Sequence, residues 1–136
     1  MGYEVSAQDV SLTQPTNIAG TITKNVIALK RATKKTDLTV YVTAHIDTMG
    51  STTRGANDNG SGVVGMLAIA RALKDVKTNY NVCFVSFCAE EYGCQGSIAF
   101  CNNLTENERA NAIADYNLDM IATSYPACRW RTDRSL

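Results

Sequence analysis

Residues 38–63 read LTVYVTAHIDTMGSTTRGANDNGSGV. The first seven, up to Ala44, are rich in β-branched side chains and read as an interior strand. The glycines and asparagines that follow break all periodicity. From Val63 the period changes. Val63, Met66, Leu67, Ala70 and Leu73 recur at three- and four-residue spacing, so residues 61–74 read as a helix with that stripe against a sheet. Ser61 or Asn59 is in place to cap it. The only histidine of the chain, His45, lies in the connection between strand and helix, together with Asp47 and Asp58.

Working outward, residues 3–5 and 10–12 are short β-like pieces, and NVIALK at 25–30 reads as a strand. The basic run KRATKKTD at 30–37 lies between two β-like segments and reads as a solvated turn. VCFVSFCAE at 82–90 is an almost continuous apolar run ending in two acids, as expected of a central strand covered on both faces by helices. After the turn YGCQGS, residues 97–102 and 105–112 read as short helices, the second with Thr105 as cap and Glu108 three residues on. A last strand covers 114–121. Alternating strands and helices give an α/β class with a mostly parallel sheet, layered as an αβα sandwich. In such sheets ligands gather at the carboxyl ends of the strands. His45 and Asp47 follow one strand, Glu90 and Glu91 another, and Asp119 lies near the end of a third.

Composition sets the outer limits. A chain of 136 residues has room for one core and one domain, 1–136. With 45% hydrophobic and 19% charged residues it falls among ordinary globular chains. Lys plus Arg and Asp plus Glu number 13 each. That balance argues against nucleic acid as a partner. No apolar window is long enough to span a membrane. The first twenty residues lack the basic start and apolar core of a signal peptide, which as the chain stands reads as cytoplasmic. Five cysteines with no CxxC pair indicate neither a disulfide framework nor a thiolate zinc site. Cys83 and Cys88 read as buried inert thiols, and a Cys94–Cys101 pair stays open.

One imidazole and several carboxylates form a nitrogen and oxygen ligand set suited to Zn²⁺. Gathering that many acids at one sheet edge is costly unless a cation or raised pKa values relieve the repulsion. His45 and Asp47 are two apart and point the same way in extended chain, so Asp47 can accept the second ring N–H of His45. Glu90 and Glu91 are adjacent and point differently, which lets one ligate metal and the other handle protons. Each residue also has a plainer reading: a strand-end histidine, a turn aspartate, a cap at Asp58, a solvated Glu-Glu end. GANDNGSG is neither GxGxxG nor a Walker loop, and no GxSxG elbow is present.

NVIA (25–28), AHIDT (44–48), GANDNGSGV (55–63), FVSFCAEEYGCQGSIAF (84–100) and NLDMI (117–121), in this order and spacing, closely resemble the di-zinc aminopeptidase family that includes bacterial leucyl aminopeptidases and aminopeptidase Y. The resemblance implies a zinc-peptidase αβα fold and hydrolysis of the first peptide bond of a substrate with a free N-terminus. It implies that His45 ligates one zinc with Asp47 orienting it, and that Asp58 bridges two metals. Glu91 would join His45 on the first zinc, Asp119 would hold the second, and Glu90 would be the general base. The family's second zinc also takes a histidine after the NLDMI segment, and no histidine follows His45 here. One tight and one weak zinc are therefore expected. The family's catalytic domain is longer, so 1–136 is expected to be a partial domain incomplete at both ends, with 122–136 an irregular or diverged tail. Full-length relatives are often secreted. The alternative is an inactive fragment, or a peptide- or partner-binding module of the same fold.

Overall fold

The strand–turn–helix reading of residues 38–74 is realised as strand β3 (Thr39–His45) and helix α1 (Gly60–Leu73), once strands β1 (Glu4–Ser11) and β2 (Ile22–Lys30) have been laid down. Strand β4 (Asn81–Phe87), helices α2 (Gln95–Asn103) and α3 (Glu106–Ala110), and strand β5 (Ala112–Asn117) follow. The computed structural model describes residues 2–15, 17–50 and 54–123. The tail reading of 122–136 therefore lies outside the described residues from 124 onward.

The sheet has the order β1-β2-β4-β3-β5. It is mixed rather than mostly parallel in its ladders: β1–β2 and β2–β4 are antiparallel, while β3–β4 and β3–β5 are parallel. The reason is local. No helix separates β1 from β2, so the chain turns back on itself, whereas α1 and then α2–α3 carry it across the sheet between parallel strands. β4 is buried along all but its last residue, as its apolar run requires.

Helix α1 covers one face. Its Met66 packs on Val42, Ala44, Val82 and Phe84, with Val63, Ala70 and Leu73 around them. Leu67, assigned to that stripe from its spacing, instead faces outward at 58% exposure. The other face carries α2, whose Phe100 meets Tyr41 and Phe87 edge-on at 5.9 and 5.7 Å between ring centres. Together the layers are the αβα sandwich. Burial pushes the Cys83 thiol up to about 12, which leaves it a small apolar group. Cys83, Cys88, Cys94 and Cys101 are all free.

Several boundaries differ from the sequence reading. The two β-like pieces near the start form one strand of eight residues, β1, which looks irregular in sequence because most of it is exposed at a sheet edge. β4 stops at Phe87, so the CAEE segment is a loop. β5 stops at Asn117, so Asp119, read near the end of a strand over 114–121, is an exposed loop residue two positions beyond it. The α3 cap is as read: Thr105 and Glu108 form a reciprocal capping box. Among the described residues, no helix is long and apolar enough to cross a membrane.

Candidate metal centre

Three parallel strands end side by side, and the loops leaving them carry the ionisable residues. His45 is the last residue of β3 and only 4% exposed. Its Nδ1 lies 3.1 Å from the backbone oxygen of Asp47. A carbonyl only accepts, so Nδ1 carries the proton and Nε2 is left facing the rim. There Nε2 stands 3.1 Å from Asp58 Oδ1, 3.5 Å from Asp119 Oδ1 and 3.9 Å from Glu90 Oε2. Among the described residues, His45, Asp58 and Asp119 each offer a ligand atom within 4.8 Å of one another. The trio groups Asp119 with His45 and Asp58, where the resemblance implied Glu91 on that ion and Asp119 on the other.

The electrostatics of this gathering favour a cation. Burial pulls the His45 pKa down, but Glu90, Asp119, Asp47 and Asp58 together outweigh it and leave it raised. A proton on the imidazole thus occupies the place a metal ion would take. Glu91 is also raised, first by burial and then by Asp58 and Glu90. Its Oε1 is buried and has no hydrogen-bond partner among the described residues. An orphaned carboxylate oxygen among other carboxylates is a misfit for a neutral pocket and a fit for a metal centre.

Asp47 works on two sides at once. Its backbone oxygen is the partner of Nδ1, with carboxylate Oδ1 further off at 3.6 Å. The carboxylate accepts the Glu90 N–H at 3.0 Å and the Glu91 N–H at 3.1 Å, one on each oxygen. One side chain therefore fixes the backbone of both glutamates, and its main chain steers the histidine. Charge-assisted bonds of this kind are worth about 2 kcal/mol each.

Sequence reading missed Asn25. This residue is fully buried in β2. Its Oδ1 accepts the Cys88 N–H at 3.0 Å, and its Nδ2 donates to Gly96 O and to Gln8 Oε1. Because β2 runs against β4, its early residues lie at the carboxyl end of β4, where the CAEE loop begins. A β-carbon at Gly96 would stand 2.2 Å from Cys88 O, so only glycine lets α2 start so close. Ala89 takes a left-handed φ of 53° as the chain turns toward Glu90. The available signal was a polar residue just ahead of the apolar run 26–29.

Asn59 was read as a helix cap, and its side chain does accept the Gly62 N–H at 3.0 Å. It also reaches the loop after β5, accepting from Met120 N and donating to Leu118 O. Asp58 precedes it, and Asp119 lies between the two loop residues it holds. Gly62 makes room here: a β-carbon would stand 2.1 Å from Leu118 O. Ser61 and Asn57 extend the seam by accepting the N–H groups of Ile121 and Ala122.

A family model described as peptidase family M28 matches residues 25–135. Aminopeptidase YwaD of Bacillus subtilis (strain 168) is 42% identical over 104 residues, 75% of this chain and 22% of that protein. Leucine aminopeptidase 2 of Trichophyton rubrum is 36% identical over 101 residues, 74% of this chain and 20% of that one. The solved structure of BSAP, a zinc aminopeptidase from Bacillus subtilis, superposes with a TM-score of 0.73 at 39% identity, over 78% of this chain and 26% of that chain. This chain thus spans about a fifth of the length of the curated relatives it matches.

Proposed function

The chain belongs to peptidase family M28, and from that footing we propose that its rim is the metal centre of a zinc aminopeptidase. The observation that carries this reading is the convergence of Asp58, Asp119 and Glu90 on Nε2 of one buried histidine. An imidazole with several carboxylates matches the donor preference of zinc. His45, Asp58 and Asp119, the close trio, would hold a first ion, and Asp58 and Glu91 a second. Three protein ligands against two make the first tight and the second weak. When bound, zinc supplies a Lewis acid that activates water for attack at neutral pH.

The chain's own residues supply the rest. Glu90, with its backbone pinned by Asp47, is placed to take a proton from the attacking water and return it to the departing amine. The substrate is a peptide with a free N-terminus. Its cationic α-amine suits the acidic rim formed by Asp58, Glu90, Glu91 and Asp119, and anchoring that amine puts the first peptide bond beside Glu90. Nδ1 of His45 keeps its proton on the Asp47 carbonyl, so Nε2 stays available as a ligand.

The test is a zinc titration of the 136-residue chain combined with hydrolysis of amino-acid p-nitroanilides. Glu90→Gln should keep its metal content and lose about 10²- to 10⁴-fold in kcat. Full activity in that variant would remove Glu90 from the mechanism. Zinc binding without hydrolysis by the unsubstituted chain would favour a peptide-binding module of the same fold.

A further inference from the structure

We infer that Asn59 is a positioning residue for this centre: its side-chain amide ties the Asp119 loop to the Asp58 turn and so sets the spacing of the two carboxylates beside His45. The inference rests on reading the rim as a metal centre. Asn59 is 2% exposed, and both polar atoms of its side chain are in use. Oδ1 accepts from Gly62 N at 3.0 Å and from Met120 N at 3.2 Å, while Nδ2 donates to Leu118 O at 2.9 Å.

Only the first of these bonds belongs to a helix cap. The other two cross 61 and 59 residues of sequence and grip the loop on both sides of Asp119. A cap alone is served about equally well by Ser or Gly, which cost little at such positions. Neither can reproduce the tie. Serine has one short hydroxyl in place of a separate donor and acceptor, and glycine has no side chain. Asp119 itself is exposed, and among the described residues its side chain has no hydrogen bond that would place it otherwise. Its distance from Nε2 is thus inherited from the backbone that Asn59 holds.

Asn59→Ser and Asn59→Gly separate the two roles, with Thr105→Ala as a control that removes the α3 cap far from the rim. Zinc affinity is measured by competition titration, and helix content by circular dichroism. Both Asn59 variants should keep their helix content and bind zinc about 10- to 100-fold more weakly, with Thr105→Ala unchanged in affinity. Equal affinity in the unsubstituted chain and in folded Asn59 variants would overturn the inference. A second reading needs no metal. In the metal-free chain, exchange of the Met120 amide should quicken at least about tenfold in either variant. The reference is the Leu118 amide, which donates to Thr43 O and is untouched. If the unsubstituted chain bound no zinc, the metal-centre reading would fail while this exchange ratio still judged the tie; an unchanged ratio would remove it.

Discussion

The Glu90–Glu91 arm of the rim hangs from the centre of the sheet, whereas the Asp58–Asp119 arm spans its edge. Each is organised by a buried asparagine. Asn25 sits between β1, β4 and α2 and is backed by the Asp47 carboxylate, so its arm is continuous with the core. Asn59 joins a helix start to the loop after β5, an edge strand exposed along nearly its whole length. The side chains of Asp58 and Asp119 are 39% and 43% exposed. The same amide chemistry therefore serves stability in one place and spacing in the other.

The comparison breaks most directly at Asn25. Asn25→Leu leaves the Cys88 N–H buried without a partner, and urea unfolding should show a loss of about 3 kcal/mol. A loss no larger than at an exposed residue would mean that the Glu90–Glu91 arm is not built into the core. Asp47→Asn should cost less, about 2 kcal/mol, because one of its two backbone N–H bonds can be kept. Its zinc affinity should fall as well, since the Glu91 backbone leans on this carboxylate. A variant that lost stability alone would confine Asp47 to the fold.

A pH titration sharpens the contrast. His45 is raised above its ordinary 6.5 and Glu91 above its ordinary 4.5. For a raised group, the stabilisation is complete below the ordinary value and is lost as pH rises through the folded one. The metal-free chain should therefore have a lower urea midpoint at about pH 8.5 than at about pH 5.5. Zinc should erase the drop, because it replaces the proton lost from the imidazole, and should bind more tightly at the higher pH. The smallest effect belongs far from both arms. Thr105→Ala dissolves the α3 capping box and should cost about 1 kcal/mol in the same unfolding assay.

How much of this was legible in the sequence follows from where each residue's partners lie. β3, α1 and β4 were readable because β-branched content, helical period and an unbroken apolar run come directly from burial. β1 was readable only as two β-like ends, since an exposed edge strand carries no apolar alternation between them. Strand direction before the first helix was hidden too, because only the connection after Ser11, and no side chain, makes β2 run backwards. Leu67 went astray because helical spacing defines a face but not how far round it the sheet extends. At the site, His45, Asp47, Asp58, Glu90, Glu91 and Asp119 stood out as polar residues where strands end. Asn25 and Asn59 did not reveal their reach. Most of their partners are main-chain atoms 59 to 71 residues away, and main-chain atoms leave no mark on the sequence.

The ties that close the rim also have a kinetic meaning. The bonds from Asp47 to Glu90, from Asn59 to Met120 and from Asn25 to Cys88 span 43, 61 and 63 residues. Contacts of such span cost loop-closure entropy that is recovered only once the strands between them have paired. A cation that recognises the assembled rim meets a finished sheet. Its hold on the protein is then felt as slower unfolding, with the rate of folding left to the sheet.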